Sequence, residues 1–301
     1  MGKSPGSSSG EKWRVDRYSN HSTCKTGSNE IIPDKTVILT KYPTIRYYLP
    51  CKIKLDGKFG HKIKMDTISS FCIIADVIGS RGSGKAALLP EVAEVLNSKV
   101  RSDCLIPFTL RAGDELFAVF SNIQAGYHAF HLLYRQARER RLGLYVGLGI
   151  GKIDGGQNLD SERINGPAIW RASDALEELK QEPDSEVLKV ISKRDFRYNL
   201  HACDDRSLNL ALVTYLHFIM QRIEARTLQQ SQAIQLLEEH PDWNNAQLYW
   251  TVSGTDETKV PAAYATANFS KLLARADYQF VHEAENGFIT LLQALSGEVK
   301  A

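Results

Sequence analysis

The segment SSFCIIADVIG, residues 69–79, narrows most sharply what this chain can become. It is apolar almost throughout, has strand length and ends on a glycine, the pattern of a strand buried on both faces. Such a strand needs neighbours at its sides and layers above and below. The following residues supply them in order. Leu88–Leu96 has apolar residues at helical spacing, and Leu105–Leu110 and Leu116–Phe120 read as two short strands around RAGDE. Asn122–Glu139 reads as a helix with Ala125, Ala129, Leu132, Leu133 and Ala137 on one side. LGLYVGLGIGKI reads as a strand, Pro167–Leu179 as an amphipathic helix, and EVLKVIS as a closing strand. The order β-α-β-β-α-β-α-β, with a central hairpin and helices returning to the sheet, predicts an α+β fold of the ferredoxin-like kind.

Charge divides the rest of the chain. The net charge of +2 conceals +8 over residues 1–64, −1 over 65–203 and −5 over 204–301. The first segment opens on KSPGSSSGEK and has little to bury, so it reads as a basic, poorly ordered extension, with short strands around TVILT and KIKLDGKFGHKIKM as the alternative. Met65 stands just before the first core strand. After Asp205 the pattern is helical: Leu208–Ile223, Gln229–Glu239, Asn245–Val252 and Ala262–Arg275. Three parts follow: the extension 1–64, the core 65–203 and an all-α, winged-helix-like module 204–301 with a helix-turn-helix in it.

At 301 residues, 43% of them apolar and 24% charged, the chain has the composition of a globular protein with a sizeable core. Its longest apolar run, near Leu208–Met220, is interrupted by polar residues and too short for a bilayer, so no membrane is expected. No signal-peptide pattern opens the sequence. The five cysteines, Cys24, Cys51, Cys72, Cys104 and Cys203, are odd in number and scattered, which predicts reduced thiols and a cytoplasmic setting.

Chemistry gathers at three acids. Asp76 ends the first strand, while Asp114 and Glu115 lie in the turn of the next hairpin. In this strand order they converge at one edge of the sheet. Clustered oxygen donors suit Mg²⁺ or Mn²⁺, cations usually shared with substrate phosphates. Two such metals activate an attacking oxygen and stabilise a leaving pyrophosphate. Gly113 lets backbone come close to a phosphate. The alternative is that Asp76 caps a loop and Gly113-Asp114 makes an ordinary turn.

Four blocks, ADVIGSR at 75–81, TLRAGDELFAVF at 109–120, GLGIGKI at 147–153 and INGPAIWRASDAL at 164–176, stand in the order expected of the SatD family, which the chain resembles over about residues 69–192. That family in turn looks like the palm of class III nucleotide cyclases and GGDEF diguanylate cyclases. AGDEL at 112–116 is similar to GGDEF, departing at Ala112 and Leu116. The resemblance implies a cyclase palm-like core, metal ligation by Asp76 and Asp114, a part for Glu115, and phosphate or ribose contacts from Asn165 and Arg171. It implies a nucleoside triphosphate as ligand. Such palms commonly complete their sites across a homodimer, and no residue decides whether this one does. Two departures argue against cyclic di-GMP synthesis: VIGSRGSGK replaces the guanine-reading pattern after the first strand, and no arginine-aspartate inhibitory site precedes AGDEL. The SatD family carries no established activity, so the resemblance supplies a fold and a site, leaving the palm active or degenerate.

GSRGSGK at 79–85 meets half of a P-loop, but Ala86 stands where the motif needs Ser or Thr and no second acidic strand follows. A milder reading has the amides of this turn, with Gly79, Arg81 or Lys85, touching phosphate. A flexible surface turn is the other. His128 and His131, three apart on one helix, have no third ligand in sequence reach and read as solvated or partly buried. In the tail, Lys271 and Arg275 are the cations of a recognition helix, with Arg222 and Arg226 available to extend the patch. Because DNA affinity rests on phosphate neutralisation, a charge of −5 disfavours DNA. Three function classes remain: a metal-dependent nucleotide-binding palm, a DNA-binding regulator, and a non-catalytic interaction scaffold.

Overall fold

Strand β1, Ser70–Val77, is buried except at Asp76, as its apolar run requires. In the computed structural model, which describes residues 69–79, 84–100, 103–154 and 164–297, it is the middle of a five-stranded sheet. The other strands are β2 (Cys104–Arg111), β3 (Glu115–Phe120), β4 (Leu144–Gly151) and β5 (Phe196–His201). Their order is β2-β3-β1-β4-β5. The first four pair antiparallel and β5 adds parallel to β4. Helix α1 (Leu89–Lys99) links β1 to β2, and α2 (Ile123–Arg140) links β3 to β4. This is the split βαβ arrangement of ferredoxin-like α+β domains, extended by one strand.

The fifth strand is not EVLKVIS. Residues Glu186–Ile191 form a short helix, α4, whose N-cap Ser185 accepts from Leu188 N at 3.3 Å. Leu188 and Ile191, three apart, are the residues it buries. A short apolar run does not distinguish strand from helix by itself. The strand is FRYNLH, where Phe196, Tyr198 and Leu200 point into the core.

The two faces of the sheet are built differently. Phe71, Ile73, Ala75 and Val77 of β1 face a large core with α1 and α2, while Cys72 and Ile74 face a smaller one. Helix α3 (Pro167–Lys180) covers that second face. It lies on β4 through glycines: a Cβ at Gly147 would meet Ala172 O at 2.1 Å, and one at Gly149 would meet Ala168 O at 2.0 Å. GLGIG therefore exists to let a helix backbone touch a strand backbone.

All described residues fall in one unit, Lys62–Ala301. Residues 1–64, with the expected extension, lie outside the described residues. The tail is all-helical: α5 (Arg206–Glu224), α6 (Leu228–Glu239), α7 (Asn245–Ser253), α8 (Ala262–Arg275) and α9 (Tyr278–Ser296), and no strand follows His201 among the described residues. Leu212, Leu216 and Met220 of α5 and Phe288 and Leu292 of α9 join the large sheet core, so that core runs across position 203/204. Helices α6, α7 and α8 gather around Ala233, Leu248 and Phe269. Among the described residues no helix is long and apolar enough to cross a membrane.

Candidate functional site

Asp76 and Glu115 are direct cross-strand partners in the β1–β3 ladder. Directly opposite residues share a face, and theirs is the face of Cys72, Ile74 and Phe117, beneath α3. The hairpin behind Glu115 turns through Ala112 at φ 49° and Gly113 at φ 89°, both left-handed. Asp114 stands in this turn, at the same end of the sheet as Asp76. The three expected acids thus share one edge.

Two cations that the sequence reading missed complete the edge. Lys180, in the last turn of α3, places Nζ 2.8 Å from Asp76 Oδ2. Arg111 pairs with Glu115 across the hairpin, and its guanidinium lies 3.2 Å from the centre of the Phe117 ring. The signal for Lys180 was geometric: a helix packed on β4 from its first turn brings its last turn back beside the end of β1.

Electrostatics follow from this crowding. Burial pushes the Glu115 carboxyl above its ordinary range, with Asp76 and Asp114 pushing the same way and Arg111 and Lys180 opposing. Burial pulls the Lys180 ammonium down, but its hydrogen bond to Asp76 and the charges of Asp76, Glu177 and Glu115 raise it overall. Asp76 Oδ1 is buried and has no hydrogen-bond partner among the described residues. An orphaned carboxylate oxygen is costly unless something satisfies it.

That oxygen fits a hard cation, because carboxylates are the donor type that Mg²⁺ and Mn²⁺ take. The protein supplies few of them: among the described residues no three His, Cys, Asp or Glu are grouped to hold a metal. A divalent ion here would rest on one or two carboxylates and draw its other ligands from water and phosphate, the usual habit of Mg²⁺.

The other candidates sit elsewhere. Gly79 is an exposed left-handed turn residue just past β1, and Lys85 opens a 3₁₀ turn, Lys85–Leu88, that precedes α1. Arg81 lies outside the described residues. Asn165 and Arg171 do not reach the acidic edge. Asn165 Oδ1 accepts from Gly166 N at 3.0 Å and Trp170 Nε1 at 2.5 Å. Arg171 donates to Ile150 O at 2.7 Å, Ala202 O at 3.1 Å and Asp204 Oδ1 at 2.7 Å. Ile150 stands opposite Phe71, and Tyr145 opposite Asp76. Five strand positions, about 17 Å at 3.3 Å each, therefore separate Arg171's anchor from Asp76.

His131 is not solvated: its Nε2 lies 3.2 Å from Glu285 Oε1, which also accepts from Tyr127 Oη at 3.4 Å. Burial drives the ring down to about 3. In the tail, Arg222 pairs with Asp277 at 3.0 Å, and Arg226 donates from Nε to Ala276 O at 3.1 Å. Both cations are thus engaged within the protein. Lys271 and Arg275 remain exposed on α8.

No family model matches the chain, and no curated protein matches it. Among solved structures it is similar to a crystal structure of an adenylate/guanylate cyclase/hydrolase from Silicibacter pomeroyi, at 18% identity and a TM-score of 0.29. That match covers 42% of this chain and 81% of the other. No reading of the site rests on it.

Proposed function

We propose that the chain is a nucleoside-triphosphate-binding palm whose acidic edge uses Mg²⁺ or Mn²⁺. The carrying observation is the buried Oδ1 of Asp76, without a hydrogen-bond partner among the described residues, on the same face as Glu115. The resemblance to the SatD family and, through AGDEL, to cyclase palms supports the same assignment. In this reading Asp76, with Asp114 or Glu115, would hold the metal, which when bound would supply positive charge against the triphosphate. Lys180, released from Asp76, becomes the chain's own cation for phosphate. The left-handed Gly113 leaves the hairpin backbone open to the ligand. Reaction class follows the palm, nucleotidyl transfer or cyclisation. Because Arg171 and Asn165 sit toward the other end of the sheet, this reading favours a second copy that supplies one of the two sets.

A second reading is favoured by the Lys180–Asp76 contact of 2.8 Å: a degenerate palm in which lysine permanently takes the cation's place and the fold serves as an interaction scaffold. One titration separates them. Free Mn²⁺ is followed by its paramagnetic resonance signal, with and without ATP or GTP, on the full chain. The active reading expects a loss of free Mn²⁺ beyond that chelated by nucleotide alone, which Asp76→Asn abolishes and Lys180→Gln strengthens for the metal alone. Equal, weak Mn²⁺ uptake by the native chain and Asp76→Asn would leave the scaffold reading. A DNA-binding role has less behind it, since Arg222 and Arg226 are engaged internally and the tail is acidic.

A further inference from the structure

A cavity of about 360 Å³ opens on the other flank of the same helix, between the end of α3, strand β5 and the start of α5. Its walls have two characters. Leu188, Leu210 and Val213 form an apolar side, while Glu178, Asn199 and His201 form a polar floor. The size and the mixture, apolar walls with a few converging polar groups, are those of small-molecule sites.

The floor is built around one carboxylate. Glu178 Oε2 accepts from Asn199 Nδ2 at 2.8 Å and lies 3.1 Å from His201 Nε2. Asn199 is 2% exposed and fixed by its own backbone neighbours: Leu200 N donates to its Oδ1 at 2.9 Å, and its Nδ2 also reaches Ala175 O at 3.3 Å. Glu178 is therefore oriented from behind. Its other oxygen, Oε1, meets among the described residues a long contact of 3.4 Å from Arg206, a side chain 73% exposed that is shared with Asp184 at 3.3 Å. Exposed long pairs of this kind contribute little and exchange readily. The lining also holds Asp184, a second carboxylate beside Arg206.

We propose that this cavity is a binding site for a small organic cation with an apolar body, an amidinium or ammonium compound. Its charged head takes the place of Arg206 at Glu178 Oε1, and its body lies along Leu188, Leu210 and Val213. Arg206 and the start of α5 would favour an anion, but Glu178 and Asp184 both face one. This site is independent of the nucleotide reading, because none of its residues touches the Asp76 edge.

Benzamidine is the probe, with benzoate and benzamide as anionic and neutral molecules of the same shape. Thermal-shift and saturation-transfer titrations use the full native chain without metal or nucleotide. Expected is a saturable rise in melting temperature with benzamidine, none with benzoate, and at least tenfold weaker binding in Glu178→Gln. Leu210→Trp, at a position 37% exposed on the cavity wall, fills the space and should abolish the response while the protein still melts cooperatively. Binding of benzoate as tight as benzamidine, benzamidine binding that survives Leu210→Trp, or no saturable response in the native chain would each overturn the proposal.

Discussion

The two faces of the sheet share the same strands yet are held by opposite means. On one, α1, α2, α5 and α9 bury a core rich in rings: Phe130, Phe196, Tyr198 and Phe288 lie in aromatic contact with their neighbours. On the other, α3 settles on β4 through glycines and small residues, and its last residue, Lys180, meets the strand ends that carry Asp76 and Glu115. The first face gains stability from area removed from water. The second gains proximity between backbones and leaves Asp76 Oδ1 buried without a hydrogen-bond partner among the described residues, as His131 Nε2 is on the first. A face that forgoes packing in this way is where a sheet can hold a ligand, because orphaned groups and left-handed turns are tolerated where surrounding structure fixes them.

The largest test of that contrast is Phe288→Ala. The ring is 1% exposed and contacts Tyr127 and Tyr215 at centroid distances of 5.8 and 5.4 Å. Truncating a buried phenylalanine costs about 3–5 kcal/mol, measurable by urea unfolding. A loss below about 1 kcal/mol would mean that α9 is an accessory rather than part of the sheet core. Next comes Gly149→Ala on the other face. A Cβ there meets Ala168 O at 2.0 Å, a backbone atom that cannot swing aside. Overpacking of this kind costs about 3 kcal/mol, and α3 must lift from β4 to relieve it. The melting temperature should fall, and the Mn²⁺ and nucleotide response at Lys180 should fall with it. A variant as stable as the native chain would show that the helix is not seated on the glycines.

These elements differed in how plainly the sequence announced them. Strands β1 to β4 and helices α1 to α3 follow from apolar spacing alone, and Asn122, Ser185, Thr227 and Asn244 cap helices in the manner their side chains allow. FRYNLH alternates apolar and polar residues, the period of a strand, but EVLKVIS beside it is the more apolar run and outweighs it on hydrophobicity, although it buries a helical pair. Helix α9 was missed altogether beyond Arg275. At the candidate site, the Asp76–Glu115 register was legible because both acids end strands that the order makes neighbours. Lys180 was not, since its place depends on fourteen residues of helical pitch above β4. Asn165 and Arg171 have the chemistry of phosphate ligands, but contacts to Gly166 N and Trp170 Nε1 use the first and backbone carbonyls with Asp204 the second, and residue type alone does not disclose its target.

A pH measurement sharpens the contrast from the packed face. Burial pushes the Glu285 carboxyl up from its ordinary 4.5 to about 7, with Arg226 opposing and Glu238 assisting. Between those values the folded chain keeps a proton that the unfolded chain has released. Stability from this group is therefore greatest at low pH and declines as pH rises through 7, by about 1.4 kcal/mol per unit and roughly 3 kcal/mol in all. His131 acts in the opposite sense, because burial lowers it from 6.5 to about 3, so the folded chain resists protonation that the unfolded chain accepts. Comparing the native chain with Glu285→Gln isolates the carboxyl. The native chain should lose ground to the variant steadily from pH 4.5 to 7 in urea-unfolding midpoints. A difference that stays constant over that range would remove the titrating carboxyl from the α2–α9 interface.

The smallest effect returns to the hairpin. Ala112 is held at φ 49°, a left-handed position that costs an L-residue roughly 1–2 kcal/mol, and it is exposed, so its methyl gains little packing in return. Ala112→Gly relieves the strain but adds freedom to the unfolded chain, worth about 0.4–1 kcal/mol in the other direction. The net expectation is a gain of about 0.5–1 kcal/mol, a rise of a degree or two to a few degrees in melting temperature for a chain of this size. The partner variant, Gly113→Ala, places a second side chain at φ 89° with no neighbour within 4 Å, and should lose about 1–2 kcal/mol for backbone reasons alone. If the hairpin is the flexible rim of a phosphate site, easing Ala112 should also alter Mn²⁺-dependent nucleotide binding without changing the Asp76–Glu115 register. Destabilisation by Ala112→Gly would mean that the methyl is packed after all. The turn would then belong to the rigid part of the fold, and the contrast between a sealed face and a yielding one would fail at the place where it matters most.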